Sequence, residues 1–411
     1  MKFAVVTSQY PAASHTFIRR EIQELRERGM EIHTFSIRRP SVDELRTPLD
    51  QNEFENTWYV FPLCIGHFTA QFRAFVRRPW RYLSTLGKAY RHRVPGIRSV
   101  LWALFHFMES IYLALELERR GIRHVHNHFA NSGANVGFLA AYYLGLRWSV
   151  TLHGISEFDY PAGILLPAKI ASAQFVACVS HFGKAQAMRA IDPAHWDKLF
   201  ISRCGVDLTC FPPSAPPRNH ASRLRWVSVG RLSPEKGQMG LLCCLSKALE
   251  RGLDVEMRIV GSGPYRDLLE SEIRKRDLGT RCVLLGVLPE PETLTEIAAA
   301  DIFVMTSFME GLPVVLMEAL GMGIPVVAPR VAGIPELIEH QHTGLLYHPG
   351  CWDDLFEQLR SLSTEPALRR TYAEAGRIRI RNEFAIQRAV DPIASAFYNL
   401  SHLGLWLAMV T

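Results

Sequence analysis

The sequence predicts an α/β protein of two domains, on three observations. The first is length, because 411 residues exceed what one ordinary core holds, and an apolar share of 48% suits a folded chain. The second is a β-α-β opening. Lys2 to Thr7 reads as a strand, Ile18, Ile22 and Leu25 share one face of a helix that Ser14 could cap and Gly29 ends, and Glu31 to Ile37 reads as the next strand. The third is a restart. After the Pro-rich, polar stretch around PPSAPPRNHAS, Leu224 to Val229 and Val255 to Val260 are again apolar strands followed by glycine-bearing turns. The boundaries that follow are residues 1–208, a linker at 209–222, and 223–384, with a last helix at 385–411.

The loop SQYPAASHTF lacks the glycines of a dinucleotide fingerprint, so no nicotinamide or flavin cofactor is expected there. Residues 71 to 98 hold eight Arg/Lys and no acid, interleaved with Phe72, Phe75, Trp80, Tyr82 and Leu86. That composition points to an anionic surface such as a membrane, across residues 72–98, with a solvated basic face as the bland alternative. No nucleic-acid module accompanies the run, so nucleic acid is not expected as a partner. Val100 to Leu117 is the longest apolar stretch, and His106, Glu109 and Glu116 interrupt it, so no transmembrane segment is expected.

His124, His126 and His128 alternate, but no nearby acid or Cys completes a metal set, so they read as a strand-end loop facing an interdomain cleft. Trp148 to Leu152 reads as a strand ending at His153-Gly154, where an imidazole can approach a ligand. Ser180 caps the helix His181 to Ala190. The eight cysteines form no C-x-x-C pair and Met1-Lys2 leads straight into a strand, so a reducing, cytoplasmic setting is expected.

In the second half, Arg231 and Lys236 sit in the turn after Leu224–Val229, a placement that suits a diphosphate. Gly261 and Gly263 allow close backbone approach after Val255–Val260. The run from Thr306 to Leu346 begins with a strand end and then Glu310-Gly311-Leu312-Pro313. Pro313 fits the first turn of a helix, whose free N–H groups and positive dipole end suit phosphate. Glu310 precedes that start and Glu318 lies eight positions on. Each carboxylate can accept hydrogen bonds from paired hydroxyls, Glu310 from a sugar ring and Glu318 from a ribose. Taken singly, either is ordinary helix-terminus chemistry.

The whole run resembles the E-x7-E segment of retaining, family-4 type GT-B glycosyltransferases, through Glu318-Ala319 to Ala332-Gly333-Ile334-Pro335-Glu336. The opening Tyr-Pro-x-x-Ser-x-Thr-Phe-x-x-x-Glu-Ile, with Ser14, Thr16, Phe17, Glu21 and Ile22, resembles the colanic-acid type of exopolysaccharide enzymes. The resemblance implies a GT-B fold, two Rossmann-like domains facing across a cleft, with the C-terminal helix 385–411 crossing back to the first domain. It implies Glu310 on the donor sugar, Glu318 on the ribose, Arg231 and Lys236 on the pyrophosphate, and His153 at the transferred sugar. Gly261, Gly263, Gly311, Leu312 and Val287 would line the donor, with Val287 and Leu288 reaching toward the base. Ser14 and His128 are acceptor-side candidates.

The implied reaction is transfer of a hexose, with retention, from a nucleotide sugar to a glycan. A UDP-sugar is the first choice and a GDP-sugar the second, and the acceptor would be a glycan on a lipid carrier. No metal is expected, since no D-x-D occurs and two cations and a helix start meet the diphosphate. The protein would be cytoplasmic or peripheral on the inner membrane face. Rival readings are a sugar-nucleotide 2-epimerase on the same scaffold and a non-catalytic assembly subunit.

Overall fold

A computed structural model describes residues 1–12, 15–154, 156–160, 162–212 and 223–410. Ser14 and most of the expected linker lie outside them. The chain divides into two compact units, residues 1–203 with 390–411, and residues 204–389.

The first unit is built on a seven-stranded parallel sheet: β1 (Lys2–Gln9), β2 (Glu31–Arg38), β3 (Trp58–Tyr59), β4 (His124–His128), β5 (Arg147–Leu152), β6 (Val176–Cys178) and β7 (Leu199–Ile201). The strand order is β3-β2-β1-β4-β5-β6-β7, so the winding reverses between β1 and β4. Such a switch point opens a crevice at the strands' carboxyl ends. Phe3 to Val6 are buried, as a strand covered on both faces requires. Helix α1 (Thr16–Glu27) buries Ile18, Ile22 and Leu25, and Gly29 at φ +83° closes it.

The basic run folds as two helices, α2 (Ile65–Arg77) and α3 (Pro79–Arg91), followed by α4 (Ile97–Arg120). Phe72 and Trp80 point to solvent, 71% and 83% exposed. Tyr82 instead turns inward onto Phe107, with ring centroids 4.9 Å apart, so the expectation that it joins the outer aromatic set is corrected. Arg77 and Arg78 meet Glu118 of α4 at 3.3 and 2.8 Å, an acid 41 and 40 positions away that the local sequence does not show. Helix α4 is long and apolar enough, by length and composition, to cross a membrane. Here its inner face is core: Phe107, Ile111, Ala114 and Leu117 are buried, and it packs on α2, α3 and the next helix, α5 (Ser132–Leu144).

The second unit carries a six-stranded parallel sheet: β8 (Leu224–Val229), β9 (Val255–Val260), β10 (Cys282–Gly286), β11 (Ile302–Val304), β12 (Val326–Pro329) and β13 (Leu345–Tyr347). Its order, β10-β9-β8-β11-β12-β13, places the switch point between β8 and β11. Helix α6 (Val314–Gly321) follows β11. It starts one residue later than expected, because Pro313 holds an extended ψ of 116° and serves as N-cap.

The last helix, α7 (Asp391–Val410), belongs to the first unit and begins a few residues past Ala385. Its Phe397 is fully buried, 4.8 Å from the Phe3 ring and 5.3 Å from that of His126. Arg28 meets Asp391 at 2.7 Å and Tyr398 donates to the Arg28 carbonyl at 2.9 Å.

Candidate active site

The turn after β8 and the loop after β11 flank the second unit's switch point, and a dense set of bonds joins them. Phe308 N donates to the Glu235 carbonyl at 2.8 Å and Thr306 Oγ1 to the Lys236 carbonyl at 2.9 Å. The loop after β9 joins from the other side: Leu232 N donates to the Ser262 carbonyl and Tyr265 N to the Leu232 carbonyl, both at 3.0 Å. Three strand ends thus form one rigid floor, the kind of support a preorganised binding site requires.

On this floor Lys236 Nζ donates to Glu310 Oε1 at 2.5 Å, with 26% and 10% of the two side chains exposed. Two residues 74 positions apart, expected to serve one ligand, therefore stand in contact. Arg231 lies exposed on the same turn, and Gln238 Nε2 pins its carbonyl at 2.7 Å. Gly311 is half-buried and Leu312 buried just ahead of α6, and Glu318 is buried on the helix itself. Val287 is 44% exposed just beyond β10.

The glycines after β9 do more local work than expected. A Cβ on Gly261 would lie 1.9 Å from the Gly230 carbonyl oxygen, and one on Gly263 would lie 2.3 Å from that of Leu232. The room they leave is filled by the neighbouring turn's backbone, so these glycines assemble the floor.

In the first unit the histidine run is strand, not loop: His124–His128 form β4 and all five residues are buried. His124 Nε2 and His126 Nδ1 share Ser149 Oγ at 2.6 and 2.8 Å, and His126 Nε2 meets Thr151 Oγ1 at 2.9 Å. Burial pushes the His124 imidazole down to about 3 and that of His126 well below its ordinary range, so both are neutral rungs of a β4–β5 ladder.

The statement that no carboxylate is near is also corrected. Glu21 of α1 reaches His128 Nε2 at 3.4 Å, and Glu21, His126 and His128 have donor atoms within 4.8 Å of one another. With both nitrogens of His126 held by hydroxyls, this trio does not offer three open ligand positions.

His153 follows β5, and its Nε2 lies 2.8 Å from His128 Nδ1. The rings of Phe17 and Phe129 flank it at 4.8 and 4.6 Å. Phe129 adopts φ +66°, a costly conformation for an aromatic residue and of the kind that clusters at functional sites.

A residue that sequence reading missed fixes this corner. Glu157 accepts from His153 N at 2.6 Å, Gly154 N at 3.0 Å and Ala130 N at 2.5 Å, tying the ends of β4 and β5 together. Its only sequence signal is a lone acid three residues after His-Gly.

Solved structures and sequence relatives agree with this architecture. Sucrose-phosphate synthase from Thermosynechococcus elongatus superposes with a TM-score of 0.75 at 18% identity, covering 98% of this chain and 100% of that one. HepE from Anabaena, in complex with UDP-glucose, gives 0.72 at 18% identity over 97% and 100%. At such identity the likeness establishes the fold: two parallel-sheet Rossmann-like domains of the GT-B class. More particularly, residues 218–379 match the model of the family "Glycosyl transferases group 1", so the second unit carries a domain of that family.

The chain is also related to bacterial exopolysaccharide enzymes. It is 34% identical over 212 residues to the amylovoran biosynthesis glycosyltransferase AmsK of Erwinia amylovora, covering 50% of this chain and 52% of that protein. It is 31% identical over 224 residues to the D-inositol 3-phosphate glycosyltransferase of Pseudarthrobacter chlorophenolicus, covering 51% and 50%. The chain thus spans about half the length of these curated relatives.

Proposed function

We propose that this protein is a retaining hexosyltransferase that uses a nucleotide sugar, a UDP-sugar before a GDP-sugar, to extend a glycan in the assembly of an exopolysaccharide or other surface polysaccharide. The observation that carries the reading is the Lys236–Glu310 contact at the switch point of a group 1 domain. Breaking a glycosyl phosphate bond builds negative charge on the leaving diphosphate and positive charge on the sugar. Lys236, Arg231 and the start of α6 meet the first. Glu310 meets the second and orients the sugar's hydroxyls, while Glu318 holds the ribose. His153 is assigned to the transferred sugar by resemblance. UDP and UDP-glucose bound to the structurally similar HepE support a uridine donor.

Because protein cations and a helix terminus meet the diphosphate, no divalent metal is required. UDP is expected to bind in EDTA with an affinity close to that in Mg²⁺, and Lys236→Ala is expected to weaken it at least tenfold, on the order of one charge-assisted bond. Isothermal titration decides this, and strict dependence on Mg²⁺ or Mn²⁺ would contradict the account.

We place the protein in the cytoplasm, a reducing compartment that suits eight cysteines outside any disulfide among the described residues, and peripherally on the membrane face. Outward Phe72 and Trp80 support the second point. So do Arg73, Arg91 and Arg98, which have no acidic partner among the described residues. Each cation near an anionic bilayer contributes about 1 kcal/mol, screened by salt. Cosedimentation with anionic vesicles at low salt is expected for the wild type. It should fall sharply at high salt and in a Phe72→Ser/Trp80→Ser/Arg73→Glu/Arg91→Glu variant, and equal binding by that variant would sink the membrane assignment.

A further inference from the structure

The first unit contains a cavity of about 1030 Å³ that the donor chemistry does not use. Ser8, Ile37 and Asn131 line it, at the carboxyl ends of β1, β2 and β4, so it occupies that sheet's own switch point.

One part of the wall is aromatic. Phe61 and Phe105 stand 5.5 Å apart and Trp102 lies 5.8 Å from Phe105. Trp102 is 56% exposed, and Ile97 and Leu101 beside it on α4 are exposed as well, so the apolar wall continues onto an apolar surface.

Another part is cationic. Arg38 and Arg39 present exposed guanidinium groups, that of Arg39 stacked 5.1 Å over the Tyr59 ring. Arg93 gives one nitrogen to Val94 O and Ser99 Oγ, and its Nε is buried without a partner.

The remaining ionisable groups add no negative charge. Glu109 is the one acid in the lining, 2% exposed, and no described residue hydrogen-bonds its carboxyl. Burial pushes it up to about 8, against the pull of Arg38, so it is protonated at neutral pH and can donate to an oxyanion. His92 and His106 are held down to about 4 by burial and stay neutral. Lys169 is pulled down to about 7, and it is spent on the carbonyls of Ala130, Asn131 and Ile164.

We propose that this cavity is a second binding site of the protein, and that it takes an amphiphilic anion: a phosphate or carboxylate on a bulky apolar body. The oxyanion sits among Arg38, Arg39 and Arg93, and the apolar body lies on Phe61, Trp102 and Phe105. The unpaired Nε of Arg93 and the guanidinium groups of Arg38 and Arg39 select charge, and the aromatic wall selects a hydrocarbon surface. As an acceptor site it rests on the glycosyltransferase reading; as a binding site it does not.

The test is calorimetry on the full chain with farnesyl phosphate, farnesol and inorganic phosphate, in the absence of any nucleotide sugar. Farnesyl phosphate is expected to bind at least about tenfold more tightly than either fragment. Arg38→Gln/Arg39→Gln should lose roughly tenfold or more for farnesyl phosphate and nothing for UDP, which shows that the variant is folded. Trp102→Ala should weaken farnesyl phosphate and leave UDP unchanged. Phe72→Ser/Trp80→Ser should bind farnesyl phosphate like the wild type, which separates the cavity from the outer helix face. The proposal is overturned if inorganic phosphate or farnesol binds as tightly as farnesyl phosphate, or if the arginine pair is dispensable. Absence of donor turnover would instead sink the transferase reading and leave this site standing.

Discussion

Glu310→Gln and Lys236→Ala are each expected to lower turnover by on the order of a hundredfold or more, because in the proposed reaction both groups meet charge that is largest in the transition state. The 2.5 Å contact between them sharpens the expectation. Removing Lys236 leaves a largely buried carboxylate without its partner, so part of the loss arises before the chemistry begins. Two residues in contact do not act independently. The double variant should therefore fall well short of the product of the single losses, and Lys236→Arg should recover part of the rate by restoring the charge. Near wild-type kcat in both single variants would remove these residues from the site.

Gly261→Ala is expected to be the most damaging single methyl group in the second unit. Its Cβ would sit 1.9 Å from the Gly230 carbonyl oxygen, at a backbone φ of +135° that side chains other than glycine rarely adopt. Neither atom can yield without moving a strand end, so a destabilisation of about 3 kcal/mol and a fall in Tm of roughly 6–12 °C are expected. UDP affinity should fall with it, because the turn bearing Arg231 and Lys236 is the obstacle. Gly279→Ala is the control: a Cβ there meets nothing within 4 Å. Thermal unfolding of the two variants decides the point, and equal midpoints would show that the two turns are not packed as described.

The parts of this molecule written in local pattern were legible in the sequence. Strands such as Leu224–Val229 and Val255–Val260 read as apolar runs followed by glycine-bearing turns and match the structure to the residue. The helix after Pro313 was misplaced by only one position, since proline restricts its own φ but leaves ψ to the surroundings. Glu310 and Lys236 were found separately, and only the β8–β11 adjacency brings them together.

What failed was non-local. His124 and His126 look polar in sequence, yet burial keeps them neutral and Ser149 and Thr151, more than 20 positions on, meet ring nitrogens of both in the core. Glu21 reaches His128 across the sheet from α1 in the same way. The cavity draws on residues from Ser8 to Lys169, and no window of sequence joins Arg38 to Glu109 or Trp102.

The central claim is that the second unit's switch point cleaves a nucleotide sugar with its own side chains. The direct test is to incubate the purified full chain, in EDTA, with a panel of UDP- and GDP-hexoses and to follow the slow release of nucleoside diphosphate and free sugar without an acceptor. At least one donor is expected to turn over, with the rate lost in Glu310→Gln and Lys236→Ala. A panel in which no donor is bound or hydrolysed, or one hydrolysed equally well by both variants, would contradict the account.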